Sequence, residues 1–236
     1  MTLTTLGYAF IGGLLPAFIW LYFLLQEEAN HMEPKTMIAL AFIAGMIAVP
    51  LAIPLEQYAK IFFINGLPVL TAWALIEEVL KYVMAAAFIF WRPIVNEDPD
   101  YVIYMITVAL GFAAAENMLF LIAPLSNGNF ASSLFTGDVR FIGSTLLHVF
   151  ASAAIGFALA FSDESHPAVR ILAASTGLIL AIALHTTFNT LIIMQGTSTT
   201  LAAVFLVWIA AVIFFAAFEV LKFFQYHKPP LNTYRP

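Results

Sequence analysis

Seven long apolar runs, parted by short polar breaks, leave this chain of 236 residues few ways to fold. A helix needs about 20 apolar residues to cross a bilayer. The runs are Leu6 to Leu25, Thr36 to Ile53, Leu67 to Phe90, Tyr101 to Ala123, Phe141 to Phe161, Pro167 to Met194 and Thr199 to Phe224. Only 10% of the residues are charged, where soluble domains carry roughly 25%. The fold class is therefore all-α: a polytopic transmembrane helix bundle of seven spans, one domain over residues 1–236. An eighth short or re-entrant segment within Leu125 to Val139 is the alternative count. The stretch Leu55 to Asn65, mixed polar and aromatic, reads as a short amphipathic helix in the interface. The N-terminus lacks a positive leader and reads as a retained first span.

Lysine and arginine set the expected direction. Lys35, Arg92, Arg170, Lys222, Lys228 and Arg235 fall on one side, and Lys60 and Arg140 on the other. This favours the N-terminus outside and the C-terminus in the cytoplasm. There is no cysteine, which excludes disulfides, thiolate metal sites and cysteine nucleophiles. The net charge of −5 is spread out, with no basic stripe for nucleic acid.

Charged residues inside apolar spans carry the functional signal. Glu77 and Glu78 stand side by side in the third run, with Lys81 one turn on. Glu116, His148, His185 and Asn189 lie in the next three runs. Four charged groups at about 2.5 kcal/mol each would oppose insertion by roughly 10 kcal/mol. They should face the bundle interior and partner one another. Counted from the span ends at 1.5 Å per residue, Glu77, Glu116, His148 and His185 all sit roughly 10–14 Å below one face. Four successive helices thus bring polar groups to one level, in a core over residues 67–194.

Spacing adds detail. Either Glu77 or Glu78 can reach Lys81 at i,i+4 or i,i+3. The two carboxylates point about 100° apart, so one can face a cavity while the other is held. Phe112 and Glu116, His148 and Ser152, and His185 and Asn189 each share a helix stripe at i,i+4. The set offers a carboxylate as general base, imidazoles for proton transfer, metal binding or oxyanion stabilisation, and an amide donor. It suits hydrolysis of an amide by activated water. Lys81 reads as a structural or tuning partner. Ser152 reads as a small packing residue and Asn117 as an interhelical hydrogen-bonder. His31, His166 and His227 read as loop or tail residues.

The motifs EEVLK (Glu77 to Lys81), GFAAAEN (Gly111 to Asn117), HVFAS (His148 to Ser152) and HTTFN (His185 to Asn189) resemble those of the PrsW family of intramembrane proteases. That family is similar to the wider group of CAAX-type prenyl endopeptidases and bacteriocin-processing proteins. In the CAAX-type cousins the second motif usually ends in His; here it ends in Glu116. The resemblance implies cleavage of a membrane-anchored protein in a prokaryotic plasma membrane, as in site-1 cleavage of an anti-sigma factor. It implies water activation by Glu77 and Glu78 and an oxyanion role for His185 with Asn189. Glutamate-dependent and metal-dependent hydrolysis both stay open, the latter with a divalent metal such as zinc among Glu77, Glu78, Glu116, His148 and His185. The expected partners are a membrane-anchored protein substrate and the lipid bilayer. The rival reading from the residues is a proton- or cation-coupled transporter, since buried Glu, His and Lys also build proton relays. A scaffold that uses the polar groups only for packing is a second rival, and a lipid or prenyl-group hydrolase is a near variant of the main reading.

Overall fold

A computed structural model describes residues 2–27, 33–128, 143–194 and 196–227. Seven α-helices are present among the described residues: α1 (Leu3–Glu27), α2 (Lys35–Phe62), α3 (Leu67–Ala85), α4 (Asp98–Ser126), α5 (Thr145–Ala160), α6 (Pro167–Ile193) and α7 (Thr197–Tyr226). Five of them are long and apolar enough to cross a membrane by themselves. The two others are α3 and α5. α3 contains Glu77, Glu78 and Lys81 and runs on into a π-helical turn, Ala86–Phe90. α5 has 16 residues. The protein is an integral membrane protein of helical-bundle architecture.

Local chemistry accounts for the helix ends. α3 starts after Gly66, whose φ of 73° favours glycine, with Pro68 in the first turn. The α3 segment closes when the Trp91 indole and the Arg92 guanidinium donate back to the carbonyls of Ala87 and Phe88 at 2.7 and 2.6 Å. Asp100 begins α4 by accepting the backbone N–H groups of Asn96 and Glu97, both at 2.9 Å.

The expectation for Leu55 to Asn65 is corrected. α2 runs unbroken to Phe62, through Pro50 and Pro54. Each proline removes one N–H from the ladder and already has the helical φ. Packing of α2 against α3 and α4 holds it straight enough to continue. The eighth segment weighed for Leu125 to Val139 falls mostly outside the described residues, and α4 covers its start.

α4 is the axis of the bundle, buried from Asp98 to Ala115 on every side. Helices α4, α2, α3, α6 and α5 touch in a closed circuit, each packed on the next. α1 lies against α4, and α7 against α6 and α5. Close approach depends on glycine. A Cβ on Gly111 would lie 1.9 Å from the carbonyl oxygen of Phe42, and one on Gly45 1.9 Å from that of Val108. The α2 and α4 backbones therefore touch, and small residues are what allow it. At the Asp98 end of α4, the Tyr101 hydroxyl donates to Asp163 at 2.7 Å, and Arg170 pairs with Asp163 at 3.1 Å. The Tyr104 hydroxyl donates to Glu33. These contacts tie the loops before α2 and before α6 to α4.

Candidate active site

The polar residues of four helices meet inside the circuit. α3 supplies Glu77, Glu78 and Lys81, α4 Glu116, α5 His148 and Ser152, and α6 His185. Glu78 and Lys81 are fully buried, and Glu77, His148 and His185 nearly so. Glu116 is the most open, with 21% of its side chain exposed, so the cluster communicates with the exterior along that residue.

Glu78 is saturated. Its Oε1 accepts from Lys81 Nζ at 2.6 Å and from His185 Nδ1 at 2.8 Å. Its Oε2 accepts from Ser152 Oγ at 3.0 Å. Three donors on three helices surround one carboxylate, which leaves it little capacity to act on anything else. Of the two adjacent acids, Glu78 is the one held. Ser152 is therefore more than the packing residue the sequence suggested. The signal was its place one turn from His148, on the stripe that faces α3.

Lys81 Nζ also lies 3.0 Å from His148 Nδ1 and 4.9 Å from the centre of the Phe112 ring. The far side of the His148 ring reaches Glu116: Nε2 is 3.1 Å from Oε2. The His148 and His185 rings meet edge to face, 5.1 Å between centres. Glu56 of α2 lies within the stretch expected to form an interfacial helix. Its charge lies within electrostatic range of both Glu77 and Glu116.

Glu77 differs from its neighbour. Its Oε2 is sealed from solvent and has no hydrogen-bond partner among the described residues. It faces His185 Nε2 at 3.8 Å. Because His185 Nδ1 donates to the Glu78 carboxylate, the neutral ring presents a lone pair at Nε2. Two electron-pair donors thus confront each other with no proton between them in the neutral ring, and a buried orphan of this kind needs a cause. Ligand atoms of Glu77, His148 and His185 lie within 4.8 Å of one another. One carboxylate with two imidazoles is a set that catalytic zinc sites use. Bonds of about 2.0–2.1 Å to a tetrahedral ion would place two ligand atoms about 3.4 Å apart. The Glu77–His185 pair fits that spacing with a small adjustment. The Glu78 carboxylate behind His185 is the usual outer partner that orients a ligand imidazole.

Asn189, one turn beyond His185, is half-buried. Asn117 donates to Thr145 Oγ1 at 3.1 Å, an interhelical bond of the kind expected of it. An apolar cavity of about 540 Å³ lies elsewhere, lined by residues such as Leu110, Val149 and Val207, and none of the site's side chains borders it.

Over 108 residues the chain is 30% identical to Protease PrsW of Geobacillus kaustophilus (strain HTA426), a match covering 43% of this chain and 46% of that protein. The chain thus spans about half the length of the curated relative it matches. No solved structure matches the chain. The model of the PrsW family of intramembrane metalloproteases matches residues 33–218, a stretch that holds every side chain of the cluster, and the chain belongs to that family.

Proposed function

We propose that the protein is an intramembrane endopeptidase that hydrolyses a peptide bond of a membrane-anchored protein. The observation that carries this reading is Glu77 Oε2, buried, without a hydrogen-bond partner among the described residues and 3.8 Å from His185 Nε2. A water seated between them would donate one hydrogen to each acceptor, which raises the electron density on its oxygen. Glu77 then takes the proton as that oxygen attacks the substrate carbonyl, and returns it to the leaving amine.

The carbonyl oxygen gains negative charge in this step and needs donors. The resemblance implies that His185 and Asn189 supply them. His185 spends its Nδ1–H on Glu78, so in its neutral form Nε2 has nothing to donate. That leaves the amide of Asn189 as the donor on this stripe. Glu78, Lys81 and Ser152 hold His185 in place and do not touch substrate.

In the metal-dependent form of this reading, Glu77 and His185 would instead hold a divalent cation such as zinc in the place of the bridging water, with His148 the third side chain in reach. When bound, such an ion supplies Lewis acidity to water and carbonyl. The substrate segment must be unwound at the site, since a helical backbone is fully paired in lipid. An anti-sigma factor in a prokaryotic plasma membrane, and kinship with CAAX-type prenyl endopeptidases, belong to the same proposal by resemblance. So does the topology with the N-terminus outside, in which the catalytic core of residues 67–194 opens toward the outer boundary.

The test is cleavage of a membrane-anchored substrate in proteoliposomes. Glu77→Gln should accumulate and fold as the parent does while cleavage drops below about 1% of it, the scale of losing a general base. Full cleavage by Glu77→Gln would overturn the mechanism. Ion flux without any cleavage would favour the transporter.

A further inference from the structure

We infer that Lys81 sets opposite tautomers on the two core histidines, so that His148 is a hydrogen-bond donor that orients Glu116 and His185 alone offers a lone pair to the reacting centre. The inference deepens the proposed reading of the site, and only its cation arm rests on that reading.

The argument follows the donors. Lys81 Nζ stands 2.6 Å from Glu78 Oε1 in a fully buried pair, the distance of an ammonium–carboxylate contact. An ammonium has three donors and no acceptor. His148 Nδ1, 3.0 Å from the same nitrogen, is therefore the acceptor. A neutral imidazole that accepts at one nitrogen carries its proton on the other. His148 Nε2–H then points at Glu116 Oε2, 3.1 Å away. Both ring nitrogens of His148 are engaged, one by a cation and one by a carboxylate.

His185 is wired the other way. Its Nδ1 meets the Glu78 carboxylate, which can only accept, so the proton sits on Nδ1. Nε2 is left bare and turned toward Glu77. The two rings meet edge to face at 87°.

The consequence concerns metal. A histidine ligand binds through one nitrogen and gives its other N–H to an acceptor. His185 meets that requirement through Glu78. His148 does not, because an ammonium occupies the place where the acceptor belongs. Proximity alone makes His148 a third ligand; the polarity of its partners makes it a donor. Lys81 is the positioning residue that enforces this, and Glu116 is the group positioned, with one oxygen held by His148 and its side chain at the open edge of the site.

The experiment is nitrogen NMR of imidazole-labelled protein in nanodiscs. Replacing His31, His166 and His227 with Gln leaves only the two core rings visible. The expected spectrum shows one ring protonated at Nδ1 and the other at Nε2. Two rings both protonated at Nδ1, as in a pair of ordinary ligands, would overturn the inference, and so would two doubly protonated rings. Added cadmium should couple to a nitrogen of one ring, the Nδ1-protonated one. Coupling to both rings overturns the assignment. No coupling to either refutes the cation part of the proposed function, while the tautomer pattern still decides the present one. Cadmium titration supplies a second measure. His148→Gln, which keeps an N–H for Glu116, should raise the Kd by no more than about tenfold. His185→Gln should raise it more than about a hundredfold, beyond the usual cost of losing an outer partner. Equal losses in the two variants would sink the distinction.

Discussion

Lys81 and Glu78 invite a double substitution whose outcome separates a buried ion pair from a mere neighbourhood. The two charges are 2.6 Å apart and neither is exposed. At an effective dielectric constant of 20 their gross attraction is about 6 kcal/mol, before the cost of desolvation. Lys81→Met leaves the fully buried Glu78 carboxylate with only Ser152 and His185 as donors. Glu78→Gln leaves the ammonium without a counter-charge. Each single change should destabilise the protein by about 3–5 kcal/mol, the cost of an uncompensated buried charge. The double variant removes both charges, and neutral groups of similar volume often replace a buried pair at little cost. It should lie within about 2 kcal/mol of the parent, far short of the sum of the singles. The assay is reversible SDS unfolding of the four proteins in mixed micelles, followed by tryptophan fluorescence. Additive losses would show that the pair is not coupled and would remove the basis for assigning Lys81 as an ammonium that donates to His148. Cleavage should stay low in all three variants, because His185 loses its orienting carboxylate or the charge that fixes it.

Ser152→Ala deletes one of three donors to Glu78; a hydrogen bond to a charged group contributes about 1.5–3 kcal/mol, and SDS unfolding should read a loss in that range, with Ser152→Thr nearer the parent. Gly111→Ala forces a methyl group to within 1.9 Å of the Phe42 carbonyl oxygen unless α2 and α4 separate, so thermal denaturation in detergent should show a loss of about 1–3 kcal/mol. If the site holds a divalent cation, a chelator should abolish cleavage and lower the unfolding temperature, and zinc at a hundred times its Kd should restore about 2.7 kcal/mol; Glu77→Gln should show no such zinc effect.

Much of this was legible in the chain because lipid is an unforgiving solvent. Apolar runs long enough to cross a bilayer had to become helices, and the placement of Glu77, Glu116, His148 and His185 at one depth followed from counting residues. Small residues such as Gly111 and Gly156 marked close packing, and the structure puts backbone against both. The course of α2 was not legible. The stretch from Leu55 read as a separate interfacial helix, whereas α2 runs on through Pro54 to Phe62.

That Glu77, Glu78, Lys81, Glu116 and the two histidines would gather in one cluster was legible from the chain alone, since nothing in a membrane offers an ion a better place than another ion. Only the tertiary structure decided which acid is held and which is left bare, that Ser152 donates to Glu78, and which nitrogen of each ring meets a donor. Those choices depend on the rotation of each helix about its axis and on contacts between residues up to 107 positions apart. Spacing along one helix carries no information about the phase of the next.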